Sequence, residues 1–295
     1  GQMASAPGFG FYSGMPFGTL YVVATPLGHL GDLSPRAAET LRAVDTVAAE
    51  DTRRTRQLLT AIDAHPRITS YHAHSTAGRA DALLAILAEG RDVALVTDAG
   101  TPGISDPGSA LVAAARVMGA RVVPIAGPSA VATALSASGL GCDRYLFLGF
   151  VPRKGPDRRR LLERAAREPW SIVFFEAPGR LAELLAELIT VCGATRQAVV
   201  ARELTKMHEE FHADTLAALH AHYEAAPPRG EITVIVAGAG DAIADDDDAP
   251  DAAEVTAMIR DRLAAGDSRK DVVRMIATRF GLARNEAYQM VMAEP

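Results

Sequence analysis

The sequence predicts an α/β protein in which helices cover both faces of a mostly parallel sheet. Short apolar runs rich in β-branched residues recur along the chain, and segments with helical periodicity separate most of them. Continuous apolar runs are typical of strands buried on both faces, and alternation of strands with helices is typical of parallel sheets. The predicted strands are residues 19–25, 46–50, 93–97, 121–126, 145–150, 171–177, 197–203 and 231–237.

Helical periodicity between the strands supports this arrangement. Residues 80–89 place Leu83 and Leu87 on one face, and residues 180–191 repeat leucine at the spacing of one helical face. Ser34 precedes Pro35, an order that predicts a helix beginning at the proline. Each such helix has an apolar stripe with which to cover a sheet.

Glycine, proline and charge mark the expected domain boundaries. Gly149, Pro152, Gly155 and Pro156 indicate a junction, beyond which the closer spacing of the strands predicts a mixed sheet. After Gly240 an acidic run predicts a linker, followed by a small helical tail. The expected domains are a disordered leader 1–18, an N-terminal α/β domain 19–143, a second α/β domain 144–240, an acidic linker 241–253 and a small helical domain 254–295.

The second helix of the tail has its own start signal. Ser268 and Asp271 approximate a capping box, and Val272, Ile276 and Phe280 follow at helical spacing. This pattern predicts a capped amphipathic helix in the tail.

Composition favours a globular protein of the cytoplasm. Of the 295 residues, 48% are hydrophobic and 22% are charged. No stretch approaches the roughly 18 uninterrupted apolar residues that span a bilayer, and residues 1–18 lack the pattern of a signal peptide. Cys142 and Cys192 lack a metal-binding spacing, so we expect a reducing compartment and no metal.

Charge is unevenly distributed along the chain. The net charge is −6, but residues 241–254 hold seven acidic and no basic residues, so the rest is close to neutral. Basic residues cluster at 53–56 and at 153–160. Each cluster predicts either a positive patch for an acidic partner or a solvated helix face.

The segment 98–108 is the strongest candidate for a functional loop. It follows the predicted strand 93–97 and holds three glycines, two prolines and two aspartates. Glycine permits positive φ and proline fixes the turn, so we expect a rigid loop. Ligands of open α/β sheets lie at the carboxyl ends of strands, although a tight connection without function is the alternative.

Missing motifs narrow the choice of ligand. The sequence has no G-x-G-x-x-G after its first strand, no Walker motif and no H-E-x-x-H. Backbone groups with Asp and Ser side chains can pair amides, amines and hydroxyls, but they offer no pyrophosphate cradle. S-adenosyl-methionine has those groups and no phosphate, and carboxylates suit its positive sulfonium.

Six ordered motifs resemble a known family. They are TPLG at 25–28, AAEDTR at 48–53, TDAGTP at 97–102, SDPG at 105–108, GPSA at 127–130 and ARELTK at 201–206. The chain resembles the tetrapyrrole-methylase-like family from about Leu20 to Gly238, and within it the methyltransferases of small-subunit ribosomal RNA. The EDTR and RELTK motifs separate this branch from the methylases of corrins and haem precursors.

The resemblance implies a fold and a reaction. The fold is two α/β domains of the tetrapyrrole methylase type, with the cofactor cleft between them and a small helical C-terminal tail. The reaction is transfer of a methyl group from S-adenosyl-methionine to the 2′-hydroxyl of a cytidine in the decoding region of 16S rRNA. The implied partner is 16S rRNA within the 30S subunit, and the implied assembly is a homodimer.

The resemblance also implies which residues line the cofactor cleft. They belong to the turn after the first strand, the loop 98–106, the start of a helix near 129 and the end of the strand 171–177. These residues are Pro26, Gly28, Asp98, Gly100, Thr101, Pro102, Ile104, Ser105, Asp106, Ser129, Ala130, Phe175 and Glu176.

Three carboxylates at predicted strand ends are candidates for the general base, which would activate the weakly nucleophilic hydroxyl. They are Glu50, Asp51 and Glu203. For Asp51 the alternative is the N-cap of a helix beginning near Arg53.

Arg53, Arg54 and Lys206 are candidates for binding rRNA phosphates. Ion pairs with Glu50 and Glu203 are the alternative.

Two other pairs of residues carry weaker signals. His72 and His74 would project from one side of an extended segment toward substrate or metal, but polar residues of the surface or the core are the favoured interpretation. Of Phe174 and Phe175, we expect one to fill the core and the other to stack on adenine.

Two other functions also stay open: a methylase of a tetrapyrrole or other small molecule, and a non-catalytic rRNA-binding assembly factor.

Overall fold

The computed structural model describes residues 17–72, 77–240, 252–280 and 284–294. The chain divides into two compact units, the first ending at Gly238 and the second beginning at Ala239. The first unit holds two five-stranded sheets. His74, residues 1–16 of the expected leader and residues 241–251 of the expected linker lie outside the described residues.

The first sheet is parallel throughout, as predicted. Its strands are β1 (Thr19–Val23), β2 (Thr46–Ala49), β3 (Arg67–Ser70), β4 (Val93–Val96) and β5 (Arg121–Ile125). They lie in the order β3-β2-β4-β1-β5, and all four pairings are parallel. Since parallel strands point the same way, the loops after β1, β2, β4 and β5 emerge at one edge.

Helices cover both faces of this sheet. They are α1 (Pro35–Ala43), α2 (Thr52–Ala61), α3 (Ala77–Ala88) and α4 (Ser109–Met118). Leu41 and Leu59 from α1 and α2 pack on one face, and Leu83 and Leu111 from α3 and α4 pack on the other. This double burial explains the continuous apolar runs of the central strands.

The predicted start of α1 is confirmed. Ser34 Oγ accepts a hydrogen bond from the Ala37 backbone N–H at 3.1 Å. Pro35 occupies the first turn, where a missing N–H costs nothing.

The second sheet is mixed, as predicted. Its strands are β6 (Tyr145–Phe150), β7 (Ser171–Glu176), β8 (Gln197–Arg202), β9 (Glu210–Thr215) and β10 (Ile232–Val236). In the order β6-β7-β10-β8-β9, β6 and β7 are parallel and the other neighbours are antiparallel.

Four helices flank the second sheet. They are α5 (Ala130–Ala137), α6 (Pro156–Arg167), α7 (Leu181–Cys192) and α8 (Leu216–Ala225). Helices α6, α7 and α8 bury Leu162, Leu184 and Leu219 against one face. On the other face Val131 of α5 packs in a cluster that Leu27, from the loop after β1, also contacts. The two sheets are therefore joined through α5 and Leu27.

The second unit is helical, as predicted. It consists of α9 (Ala252–Ala264), α10 (Arg269–Phe280) and α11 (Arg284–Ala293), and its core includes Ile259, Ile276 and Val291. Ser268 Oγ accepts a hydrogen bond from the Asp271 backbone N–H at 3.3 Å and donates one of 2.6 Å to its carboxylate, so the N-cap half of the predicted capping box is confirmed. Among the described residues, no helix is long and apolar enough to cross a bilayer.

Candidate active site

Three loops interlock at the carboxyl edge of the first sheet. Thr25 and Gly100 exchange two backbone hydrogen bonds of 2.9 Å, which join the loops after β1 and β4. Thr25 Oγ1 also donates to the Thr97 carbonyl at 3.1 Å. Thr101 Oγ1 donates to the Pro128 carbonyl at 3.0 Å and so joins the loop after β5. These bonds hold the candidate loop against its neighbours.

The backbone of the loop after β4 adopts conformations that favour glycine. Gly100 has φ +87°, and its backbone is fixed by the bridge to Thr25. Ser105 also has positive φ, at +60°, although it carries a side chain. A non-glycine residue in this region is uncommon and is held there by its surroundings.

Two carboxylates at this edge accept hydrogen bonds that join the segments after β2 and β4. Glu50 Oε2 accepts a hydrogen bond of 2.9 Å from Thr97 Oγ1. Asp98 Oδ1 accepts one of 2.9 Å from the Asp51 backbone N–H. Because β2 and β4 are adjacent, residues 47 positions apart meet here.

Asp106 lies within the field of three other carboxylates. Burial, with the charges of Glu50, Asp98 and Glu231, raises the pKa of Asp106 to about 6, and a hydrogen bond with Thr97 offsets part of this rise. Like charges at close range disfavour ionisation. The same negative field favours a bound cation.

Asp51 caps α2, so the alternative role foreseen for it is present. Its Oδ1 accepts a hydrogen bond from the Arg53 backbone N–H at 2.8 Å, and its Oδ2 lies 3.0 Å from Arg53 Nη2. These hydrogen bonds from Arg53 lower the pKa of Asp51 to about 2. A carboxylate with so low a pKa is a weak proton acceptor at neutral pH.

Glu203 and Lys206 form a clamp after β8. Glu203 Oε1 accepts hydrogen bonds of 3.0 Å from the Glu231 backbone N–H and from Lys206 Nζ, and the Glu231 bond is the main cause of its lowered pKa. Lys206 Nζ also lies 3.3 Å from Glu231 Oε2. Glu203 and Thr205 have φ of +53° and +63°. The predicted alternative of an ion pair between Glu203 and Lys206 is therefore present.

The loops of the first sheet contact elements of the second sheet at two places. The His29 backbone N–H donates to Thr205 Oγ1 at 3.2 Å. A Cβ at Gly28 would collide with Lys206 Cγ, and a Cβ at Gly149 in β6 would lie 3.0 Å from Ser105 Oγ. Glycine at both positions lets the two halves approach closely.

Most of the predicted cofactor residues meet at this edge. They lie on the three interlocked loops and at the start of α5, and their role as cofactor ligands stays a prediction. They are Pro26, Gly28, Asp98, Gly100, Thr101, Pro102, Ile104, Ser105, Asp106, Ser129 and Ala130.

The end of β7 separates the side chains of Phe175 and Glu176. Phe175 packs on the α5 side, 4.9 Å from Phe147 between ring centroids. Glu176 points to the other face, fully buried, with Oε2 3.3 Å from Arg180 Nη2. Burial raises the pKa of Glu176. Phe174 fills the core, as expected of one of the two phenylalanines, and stacking of Phe175 on adenine stays a prediction.

The predicted RNA-binding residues differ in exposure. The Arg53 side chain is 84% exposed although it pairs with Asp51, and exposed Arg54 lies 3.9 Å from Asp98 Oδ2. Lys206 is held in its clamp. His72 is exposed. Within the described ranges, no three His, Cys, Asp or Glu side chains converge as a metal site.

Sequence reasoning missed several groups at the site. In the sequence Glu231 stands out only as the first residue of a predicted strand, and Thr97 only as the last residue of another and the first of the TDAGTP motif. Gly149 was assigned to a junction. The partners of these groups lie 28 to 47 residues away in the sequence, as in the Glu231–Glu203 and Thr97–Glu50 hydrogen bonds. A local sequence pattern therefore does not predict these contacts.

Comparisons with known proteins show which family this chain resembles. Residues 19–220 match the family described as Tetrapyrrole (Corrin/Porphyrin) Methylases. A relative from Synechocystis sp., named "Ribosomal RNA small subunit methyltransferase I", is 44% identical over 275 residues, which cover 92% of this chain and 97% of the relative. A relative of the same name from Mesorhizobium japonicum is 50% identical over 228 residues, 77% of each chain.

Solved structures support the fold alone. A crystal structure of diphthine synthase matches with a TM-score of 0.60 and 19% identity, covering 74% of this chain and 90% of that one. The predicted two-part α/β fold of the tetrapyrrole methylase type is confirmed.

Proposed function

This chain belongs to the tetrapyrrole methylase family, among its ribosomal RNA small subunit methyltransferases I, and we propose that it methylates the ribose 2′-hydroxyl of a cytidine in the decoding region of 16S rRNA. The methyl donor in this proposal is S-adenosyl-methionine. The observation that carries the proposal is the 44% identity to a relative of that name over nearly the whole of both chains. Cytoplasmic action as a homodimer on the 30S subunit completes the proposal.

The charge of the site fits the proposed donor. The carboxylates of Glu50, Asp98, Asp106 and Glu231 are close enough for the other three to raise the pKa of Asp106. A sulfonium cation would relieve their repulsion. The surrounding backbone groups of residues 98–106, with Ser129 and the turn at 26–28, would pair the polar groups of the donor.

Positioning accounts for much of the expected rate. S-adenosyl-methionine, when bound, supplies an electrophilic methyl group. Alignment of two bound reactants can lower a barrier by about 7–11 kcal/mol. The side-chain hydrogen bonds of Thr25 and Thr101 hold the loops after β1, β4 and β5 together, so these loops can hold the donor in a fixed position.

Among the three predicted bases, Glu50 fits proton acceptance best. Asp51 and Glu203 already accept hydrogen bonds that lower their pKa. Among the described residues, Glu50 takes part in no ion pair, and it accepts its hydrogen bond from the neutral hydroxyl of Thr97. Exposed Arg53 and Arg54, with Lys206, would neutralise rRNA phosphates near the cleft.

The test is to incubate the protein with tritiated S-adenosyl-methionine and 30S subunits from a strain that lacks this methylation. Label on the ribose of one cytidine in the decoding region is expected. Label on a base, or transfer to a tetrapyrrole with none to rRNA, would overturn the proposal. Binding to 30S subunits without transfer would instead indicate an assembly factor.

A further inference from the structure

Phe150 is a large aromatic side chain left exposed near the candidate loop. It ends β6, is 60% exposed, and its ring centroid lies 5.5 Å from that of Phe175 in an edge-to-face contact. The preceding residue, Gly149, approaches Ser105 of the candidate loop. An exposed ring supported from behind is typical of surfaces on which unstacked nucleic-acid bases stack.

Three exposed cations follow Phe150 in the sequence. Arg153, Lys154 and Arg159 are exposed, and none of them forms an ion pair with any described residue. Their neighbours Arg158 and Arg160 differ, because they pair with Glu187 and Asp157. The segment therefore presents three cations that no ion pair with a described residue neutralises.

These cations line a cavity of about 560 Å³ beside α6 and α7. Glu163, Glu183 and Glu187 also line it, but Glu187 is neutralised by Arg158. With Glu187 paired to Arg158, the lining keeps three cations, from the loop before α6 and its first turn, against the two carboxylates of Glu163 and Glu183. Phe150 and Arg153 are at most about 11 Å apart between Cα atoms, because each residue spans no more than about 3.6 Å.

Two hydrogen bonds from arginine side chains fix the loop that carries the cations. Arg158 Nη1 donates to the Pro152 carbonyl at 2.8 Å, and Arg180 Nη2 donates to the Val151 carbonyl at 2.9 Å. The Arg158 side chain is only 6% exposed. A loop held in this way loses little conformational entropy when it binds a ligand.

We propose that segment 150–159 is a docking surface for single-stranded rRNA beside the methylated nucleotide. One base stacks on Phe150, on the α5 side of the second sheet, and the RNA strand continues around the edge strand β6 to place its next phosphates at Arg153, Lys154 and Arg159. A positive surface that tracks the backbone, combined with an aromatic ring for a base, is how single strands are bound. This inference rests on the proposed function and gives it a second contact region besides the candidate site.

The first experiment separates charge from general damage. In the full chain, Arg153, Lys154 and Arg159 are replaced by alanine together, and 30S binding is measured across salt concentrations. Each phosphate contact contributes about 0.7 to the slope of log K against log salt for single strands, so the slope should fall by about 2. Affinity at about 100 mM salt should fall by roughly tenfold or more, since these contacts dominate affinity.

Two controls make that result specific. The triple variant Arg116→Ala, Arg121→Ala and Arg167→Ala removes the same charge from exposed positions elsewhere and should keep the parent slope. The variant Arg153→Lys, Lys154→Arg and Arg159→Lys keeps the charge and should retain most of the affinity. Equal donor affinity and equal melting temperature in all variants would show that the fold and cofactor site are intact.

The second experiment tests stacking. Phe150→Ala should weaken 30S binding by roughly tenfold, the effect expected for loss of one stacked base, without changing the salt slope. Phe150→Tyr should restore it. Tyr145→Ala is the matched control, because Tyr145 is 46% exposed at the opposite end of the same strand.

The outcomes distinguish this inference from the function on which it rests. If the parent methylates rRNA but the segment variants bind with the parent affinity and slope, the docking surface is overturned and the proposed function stands. If the parent transfers no methyl group to rRNA, both fall.

Discussion

At the scale of single residues, the environment of Asp106 sets a pH dependence. Its pKa is raised to about 6 by burial and by neighbouring carboxylates, against an ordinary value of 3.8. The folded protein therefore favours the protonated form. Its contribution to stability is fully present below pH 3.8 and is lost as the pH rises through about 6.

Replacing Asp106 by Asn should therefore stabilise the donor-free protein at pH 7.5. The whole shift would correspond to about 3 kcal/mol, and solvent around the half-buried group reduces this to about 1 kcal/mol. The gain should shrink toward pH 5, where the parent carboxyl is largely protonated. Urea unfolding of both proteins at the two pH values checks this, and an equal difference at both would contradict it.

Asp98 should contribute to donor binding through its charge. Asp98→Ala is expected to weaken the affinity for S-adenosyl-methionine at least tenfold, which corresponds to about 1.4 kcal/mol. Asp98→Asn can still accept the hydrogen bond from the Asp51 N–H, so it isolates the loss of charge. Calorimetry measures all three proteins, with His72→Ala as the control at an exposed position.

A donor affinity for Asp98→Ala equal to that of His72→Ala would remove Asp98 from the site. Parent-like binding by Asp98→Asn would assign its effect to the hydrogen bond instead.

Local residue roles were easier to predict than distant ones. The N-cap role of Asp51 and the pairing of Lys206 with Glu203 involve partners two or three residues away, and both were foreseen as alternatives. The bond between Thr97 and Glu50 depends on β2 lying beside β4. Strand order is set by packing of the whole sheet, so the sequence pattern does not reveal it.

At the scale of elements, the ion pair between α6 and α7 should stabilise the first unit. Arg158 Nε lies 2.9 Å from Glu187 Oε2, and the Arg158 side chain is nearly buried. Glu187→Ala would leave a buried guanidinium without its carboxylate and should lower the free energy of unfolding by about 2 kcal/mol. Urea denaturation measures this loss.

Glu163→Ala provides the comparison, because Glu163 is exposed on α6 and forms no ion pair with a described residue. It should change stability by less than about 0.5 kcal/mol. Similar losses of unfolding free energy in the two variants would show that the ion pair of Glu187 with Arg158 does not stabilise the first unit.

The elements that the sequence failed to predict are β3 and β9, and both are edge strands. No residue of β3 or β9 is fully buried, and both strands contain polar side chains among the apolar ones. The eight predicted strands are all present, with ends within one or two residues. Central strands are buried on two faces and show continuous apolar runs, whereas edge strands do not need them.

At the scale of the whole molecule, the candidate functional residues all belong to the first unit and none to the helical tail. All candidate cofactor, base and RNA-binding residues lie before Gly238, where the first unit ends. The second unit has its own core around Ile259, Ile276 and Val291. The composition shift after Gly240 indicated this division, although the domain boundaries within the first unit stay a prediction.

A chain ending at Gly238 should therefore fold and bind the methyl donor as the full chain does. Its sheets, helices and apolar clusters are complete without the second unit, so its urea midpoint and its calorimetric donor affinity should match those of the full chain. The charge of the acidic run 241–254 is absent from this chain, so any change in rRNA affinity can be measured separately. Loss of donor binding in the shortened chain would mean that residues of the tail help to build the site, and the assignment of the cofactor site to the first unit would have to be withdrawn.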